Sequence, residues 1–80
     1  MIQHTDITDA ELRLKIKHQN IVLGGNSNLK IYGTLRCKSG KRLKKAHRVF
    51  FNSENEAIEM DYRPCGHCMK DAYKIWKAHH

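Results

Sequence analysis

Hydrophobic and polar positions change over short distances along the chain, which predicts several short elements. Thr8-Asp9-Ala10-Glu11 has the form of a capping box, in which a threonine and a glutamate three residues later bond to each other's backbone. This motif predicts a helix that ends at about His18. The strict alternation of Leu12, Leu14 and Ile16 with basic residues would instead fit a strand. Because the cap is the more specific signal, it favours the helix.

The middle of the chain has the pattern of a β-hairpin followed by a third strand. The apolar residues 21–23 predict a first strand, and the turn formers at 24–28 predict a turn. Residues 29–36 predict the second strand. Residues 37–46 are expected to form a basic loop, and the β-branched and aromatic residues at 48–51 predict the third strand.

The C-terminal third predicts two further helices. Ser53-Glu54-Asn55-Glu56 is a second capping box and predicts a helix that ends at about Met60. Residues 69–77 predict the last helix. Three acidic side chains are expected on a solvated helix face: Glu54, Glu56 and Glu59. Three aromatic side chains are expected in the core rather than on a base-stacking surface: Tyr62, Tyr73 and Trp76.

These elements together predict the fold class. We expect one α+β domain over residues 1–80, with a three-stranded antiparallel sheet and two or three helices. Residues 1–7 and 78–80 are expected to be frayed ends. An 80-residue chain buries only about two thirds of its unfolded surface, so a covalent or metal cross-link would help its core.

Composition narrows the location and the partners. No run of 18 apolar residues exists, which excludes a transmembrane helix. We therefore expect no membrane partner. The first 20 residues contain no continuous apolar segment of the type found in secretory signals. We therefore expect a cytoplasmic protein.

Three cysteines form the strongest chemical signal. Their odd number does not fit a disulfide framework, and Cys65 and Cys68 form a CxxC turn whose backbone N–H groups can donate to the sulfurs. A zinc ion shared with Cys37 would tie the end of a strand to the start of the last helix and close a long loop. A redox dithiol is one alternative, although the chain is too short for a thioredoxin-like fold. Inert buried thiols are the other.

Structural zinc takes four ligands, so three cysteines leave one position to be filled. His47 is the leading candidate, because it lies between Cys37 and the CxxC turn in the sequence. His18 is next, and Asp61 or water are further possibilities. His67 is disfavoured, because the residues inside a CxxC turn usually point away from the metal.

Positive charge is concentrated in one segment. The net charge is +7, and seven of the 15 lysines and arginines fall between residues 36 and 48, without an acidic residue among them. This basic segment contains Arg36, Lys38, Lys41, Arg42, Lys44, Lys45 and Arg48. Such clustering predicts phosphate contacts with a nucleic acid, with base contacts from an arginine as a further option. A solvated basic loop without a partner is the alternative.

Several motifs resemble the N-terminal zinc-binding domain of the Ada family of DNA-repair proteins. The most specific is Tyr62-Arg63-Pro64-Cys65-Gly66-His67-Cys68, supported by residues 31–37, 48–51 and 56–57. The resemblance is strongest over residues 29–77. It implies a zinc site of four cysteines and DNA as the nucleic acid. It also implies that one cysteine accepts a methyl group from a methylphosphotriester in DNA.

Applied residue by residue, the resemblance gives Cys37 the role of methyl acceptor and Cys65 and Cys68 the role of the last ligand pair. The second family cysteine falls at Lys41. Loss of one thiolate makes the metal site less negative and its sulfurs less nucleophilic, which favours a structural role for zinc. Three functions follow as hypotheses: a zinc module that binds nucleic acid, a one-shot methylphosphotriester repair protein, and a zinc-stabilised protein-interaction module.

Overall fold

The computed structural model of the protein describes residues 1–38 and 42–79. Within these ranges the fold is α+β, as predicted, and none of the helices is long and apolar enough to cross a membrane. The α-helices of this part are Asp9–Lys17 (α1), Glu54–Glu59 (α2) and Lys70–Ala78 (α3). The strands are Ile2–Gln3 (β1), Leu23–Asn26 (β2), Ile31–Thr34 (β3), Arg48–Phe51 (β4) and Arg63–Pro64 (β5).

The sheet contains five strands in the order β1-β4-β2-β3-β5. Its three central strands are antiparallel, as the sequence predicted. The prediction of a purely three-stranded antiparallel sheet is nevertheless wrong, because β1 joins one edge and β5 pairs parallel to β3 at the other. Both added strands are two residues long, too short to show an alternating pattern.

Strand β2 contains the two glycines that were expected to form a turn. A Cβ atom at Gly25 would lie 2.9 Å from the Ile31 carbonyl oxygen and 2.9 Å from the Phe51 ring. Glycine at this position therefore lets β3 and β4 pack closely against β2, which lies between them. The turn follows instead at residues 27–30, where the Asn26 side chain accepts hydrogen bonds from the amides of residues 28 and 29.

The first capping box is complete. Thr8 Oγ1 accepts from the Glu11 amide, and Glu11 Oε1 accepts from the Thr8 amide, each at 3.1 Å. These two bonds satisfy donors that an uncapped helix leaves open, which explains why this segment forms α1 rather than a strand.

The second predicted box forms only in part. Ser53 Oγ accepts from the Glu56 amide at 3.1 Å. The Glu56 carboxylate accepts from the amide of Asn52 at 3.3 Å and lies 3.1 Å from the N-terminal ammonium group of Met1. Glu56 is therefore not a merely solvated residue, contrary to expectation.

The core lies between the sheet and α2. Its buried cluster consists of Tyr32, Val49, Phe51, Ala57 and Tyr62. The Tyr32 hydroxyl donates to Glu54 Oε2 at 3.0 Å, while Glu54 itself is exposed, as predicted. Tyr62 is buried as predicted, whereas Tyr73 and Trp76 on α3 are only half-buried.

The N-terminal residues are ordered rather than frayed. Ile2 and Gln3 pair with Phe50 and Val49 of β4. His4, in the following 3-10 turn, is only 7% exposed. Its ring packs edge-on against Phe50 with the ring centroids 5.2 Å apart. The start of the chain therefore completes one side of the fold. At the other end, Ala78 is the last residue of α3.

Candidate metal centre

Two neighbouring strands bring the three cysteines together. Cys37 follows the end of β3, and its amide donates to the Thr34 carbonyl at 3.2 Å, which turns the chain back over the strand. Cys65 follows β5, and its amide donates to the Tyr32 carbonyl at 2.8 Å. The parallel pairing of β5 with β3 thus places the CxxC turn beside Cys37.

The three sulfur atoms form a compact group. All of them lie within 4.8 Å of one another, and the Sγ atoms of Cys37 and Cys65 are 3.9 Å apart. Cys37 and Cys65 are buried and Cys68 is partly exposed. Two sulfurs that bind one tetrahedral zinc ion at about 2.3 Å lie about 3.8 Å apart. The observed separation and the soft thiolate donors therefore fit a zinc ion.

Backbone amides support the sulfurs. The Thr34 amide donates to Cys68 Sγ at 3.3 Å, and the His67 amide donates to Cys65 Sγ at 3.4 Å. The second bond is of the type expected for a CxxC turn. Burial raises the pKa of the Cys68 thiol, while the hydrogen bond from Thr34 opposes that shift. A bound metal must displace these thiol protons, so we expect metal affinity to rise with pH.

Gly33 forms the floor of the three-cysteine group. A Cβ atom at this position would lie 2.7 Å from Cys68 Sγ and 3.2 Å from Cys65 Cβ. Only a residue without a side chain lets β3 pass this close to the CxxC turn. Gly33 was expected in a strand and belongs to the resembling motifs, but the sequence alone did not mark it as a site residue.

The predicted fourth ligands are not members of the three-cysteine group in the described part of the chain. His47 is exposed in a 3-10 turn, where its carbonyl accepts hydrogen bonds from the amide and hydroxyl of Ser27. His18 is an exposed cap at the end of α1, and Asp61 is an exposed residue after α2. Among residues 1–38 and 42–79, the metal-binding group consists of cysteines alone. Lys41, the position of the missing family cysteine, lies outside the described residues.

The basic segment is mostly exposed. Lys38, Arg42 and Lys44 are exposed, as is Arg36. Lys45 is also exposed, and its ammonium group lies 3.7 Å from the Asp9 carboxylate. Arg48 is half-buried.

The Arg48 guanidinium group lies 5.1 Å from the centre of the Phe50 ring. Partial burial lowers the pKa of Arg48 from its ordinary value, although an arginine remains charged at neutral pH. Its charge is thus held in place beside the sheet, while the other described basic side chains of the segment are exposed.

A cavity of about 440 Å³ is lined by two of the cysteines and by two arginines. Cys37 and Cys65 line it together with Arg48 and Arg63. Arg63 was not predicted as a site residue, because it lies outside the basic segment. The signal that could have found it is its position in the Tyr-Arg-Pro-Cys motif, directly before the CxxC turn.

Arg63, in β5, also contacts two stacked aromatic residues of α3. The rings of Tyr73 and Trp76 stack with their centroids 5.9 Å apart. The Arg63 guanidinium group lies 5.5 Å from the centre of the Tyr73 ring and 5.6 Å from that of Trp76. Such cation–π contacts hold the arginine in position. These two aromatic residues therefore orient Arg63 beside the metal centre.

The fold and the site together define a small α+β metal-binding domain in which three cysteines converge at the edge of a sheet. A family model described as the metal-binding domain of Ada matches residues 15–71, more than half of the chain. The chain therefore belongs to the family of Ada metal-binding domains. No curated protein and no solved structure matches it.

Proposed function

We propose that this protein is a zinc module that binds DNA through its basic segment, residues 36–48. The zinc part is supported by the family membership and by the three convergent sulfurs. Cys37, Cys65 and Cys68 would hold the ion. Zinc bound there would join the end of β3 to the start of α3 and so stabilise a chain of only 80 residues.

The observation that supports the DNA part is the position of the positive charge next to the metal centre. The basic segment starts one residue before Cys37, and Arg48 at its other end lines the same cavity as Cys37. Each lysine or arginine that contacts a phosphate releases condensed counterions, which provides affinity that depends on salt. The exposed part of the segment would contact the DNA backbone.

The test is fluorescence anisotropy of a labelled DNA duplex with the zinc-loaded protein over a series of salt concentrations. The double variant Arg42→Gln/Lys44→Gln should weaken binding and reduce the slope of log K against log salt by about 0.9 for each phosphate that is no longer neutralised. The matched control is Arg13→Gln/Lys17→Gln, which removes the same charge from exposed positions of α1. This control should retain the slope of the unchanged protein.

Two results would contradict the proposal. One is the absence of binding at low salt by protein that contains zinc, which would favour the hypothesis of a zinc-stabilised protein-interaction module. The other is an equal loss for both double variants, because binding would then reflect net charge rather than a surface.

A second candidate function is methylphosphotriester repair by Cys37. The observation that favours it is that Cys37 lines a cavity beside two arginines that could bind a phosphate group. In this reaction the Cys37 thiolate would attack the methyl carbon. A sulfur–carbon bond would form, the carbon–oxygen bond would break, and a phosphodiester would leave. Intact-mass measurement after incubation with methylated DNA should then show one added methylene on the Cys37 peptide, and its absence would reject this function.

A further inference from the structure

We infer that helix α3 carries a second DNA-contacting surface, which binds the phosphate backbone of the same duplex as the basic segment. This inference rests on the proposed DNA binding and extends it to a part of the chain outside residues 36–48. The surface, called here the lysine face of α3, consists of Lys70, Lys74 and Lys77. All three side chains are exposed.

The three lysines share one side of the helix. Because an α-helix turns by about 100° per residue, positions 70, 74 and 77 lie within a sector of about 60° around the axis. The acidic residue of α3, Asp71, lies about 60° outside this sector. The sector is about 10 Å long, a length over which one strand of a DNA duplex carries about three phosphates. The spacing of the lysines therefore fits that of a phosphate backbone.

The lysine face adjoins the positive charge of the basic segment. Tyr73, which is next to the lysine face on the surface of α3, lines the same cavity as Arg48 at the end of the basic segment. Arg63 also lines this cavity, and its guanidinium group lies 5.5 Å from the centre of the Tyr73 ring. Positively charged side chains of β4, β5 and α3 thus border one cavity. A duplex that contacts the basic segment can reach α3 from the same side.

The apolar side of α3 favours a nucleic acid over a membrane as the partner. A basic helix that binds a membrane buries its apolar side among the lipids. In this protein Ala72 and Trp76 are partly buried and line a groove together with Tyr62 and Pro64 of the same chain. Within α3, Ile75 is the exposed large apolar side chain. One such side chain gives little area for insertion, so the charged side is the one available to a partner.

The experiment measures the fluorescence anisotropy of a labelled DNA duplex with the zinc-loaded full chain over a series of salt concentrations. Lys74→Gln/Lys77→Gln should weaken binding and reduce the slope of log K against log salt by about 1.8, or about 0.9 for each lost phosphate contact. Lys74→Arg/Lys77→Arg keeps the charge and should keep the slope. Arg13→Gln/Lys17→Gln removes the same charge from exposed positions of α1 and should also keep the slope.

A combined variant tests whether both surfaces contact one duplex. Lys74→Gln/Lys77→Gln together with Arg42→Gln/Lys44→Gln should lose the sum of the two separate reductions in slope, because the two surfaces would neutralise different phosphates. A combined loss no larger than that of one double variant would overturn simultaneous contact. Vesicles of phosphatidylcholine and phosphatidylserine form a separate arm, in which the unchanged protein and the α3 variant should bind equally.

The outcomes separate this inference from the proposed function. A loss of slope for Arg42→Gln/Lys44→Gln alone, with none for Lys74→Gln/Lys77→Gln, would overturn the inference and leave the proposed function intact. No binding of the duplex by the unchanged protein at low salt would overturn both. Weaker binding of the α3 variant to the vesicles, with unchanged binding to the duplex, would assign the lysine face to a membrane and overturn its contact with DNA.

Discussion

Gly33 and Cys68 are in such close contact that a Cβ atom at residue 33 would lie 2.7 Å from the Cys68 sulfur. Atoms of real side chains do not approach so closely. The path of β3 past the CxxC turn, and therefore the shape of the metal centre, depends on the absence of a side chain at this position.

Gly33→Ala should disturb the site. The added methyl group must displace the CxxC turn, which we expect to cost about 1–3 kcal/mol of unfolding free energy and to weaken metal binding. The control is Gly24→Ala, at the residue paired with Gly33 across the sheet. A Cβ atom there meets its nearest neighbours at an ordinary 3.8 Å, so this change should be neutral or stabilise by up to about 1 kcal/mol. Equal denaturation midpoints and metal affinities for the two variants would contradict this expectation.

Cys65→Ser should remove a metal-binding sulfur while keeping the backbone amide that donates to Tyr32 of β3. Because zinc binding and folding are coupled in small metal domains, the variant should hold far less than one equivalent of zinc and unfold at lower temperature. Elemental analysis and thermal denaturation followed by circular dichroism measure the two effects. A chelator should lower the unfolding temperature of the unchanged protein to that of the variant. Added zinc should return the unfolding temperature of the unchanged protein to its original value. A variant with full zinc content and unchanged stability would show that the metal does not support the fold.

Tyr32→Phe should destabilise the protein by about 1 kcal/mol, because it removes the hydrogen bond from the buried hydroxyl to Glu54. Burial, followed by the contact with Glu54, raises the pKa of Tyr32 to about 12 from its ordinary value of 10.0. The folded state therefore keeps a proton that the unfolded state releases, so this contribution is present below about pH 10 and declines above it. Denaturant titrations of both proteins between neutral and alkaline pH should converge as the pH rises. A gap that stays constant would exclude the predicted titration of Tyr32.

His4 should make stability depend on pH on the acidic side. Its pKa is lowered, chiefly by burial and then by the charges of Arg48 and Lys45, with Asp9 acting in the opposite direction. The Asp9 carboxylate is 3.9 Å away, and neither ring nitrogen has a hydrogen-bond partner in the described part of the chain. The unfolded state thus takes up a proton more readily, and stability is lost as the pH falls below the ordinary value of 6.5.

The variant His4→Leu tests this dependence on pH. The difference in unfolding free energy between the unchanged protein and this variant should shift in favour of the variant below neutral pH. A pH-independent difference for His4→Leu would mean that the buried ring does not titrate differently on unfolding.

The sequence predicted the parts of this fold that depend on local chemistry. The capping box at Thr8 determined the start of α1, and the β-branched and aromatic residues in 48–51 identified β4. Cys37 and the CxxC turn were predicted to form one group because cysteines at that spacing are typical of a metal site. The structure brings them together. Each of these signals depends on a few neighbouring residues or on the chemistry of a single residue type.

Features that arise from long-range packing were not predicted. Gly24 and Gly25 indicate a turn when taken alone, but the pairing of both residues with β3 and β4 places them in β2. Glu56 has the position of a capping residue, yet its carboxylate also contacts the N-terminus of the chain. Arg63 joins the metal centre only because β5 pairs with β3. In each case the deciding contact is distant in sequence.

The order of the strands has a consequence for the behaviour of the protein in concentrated solution. The two outermost strands of the sheet, β1 and β5, each contain only two residues. Strand β5 also includes Pro64, which has no amide hydrogen to donate. Very short edges and proline offer a poor template for the strand of another molecule. The sheet thus carries its own protection against edge-to-edge aggregation, on the same strand that precedes the metal-binding cysteines.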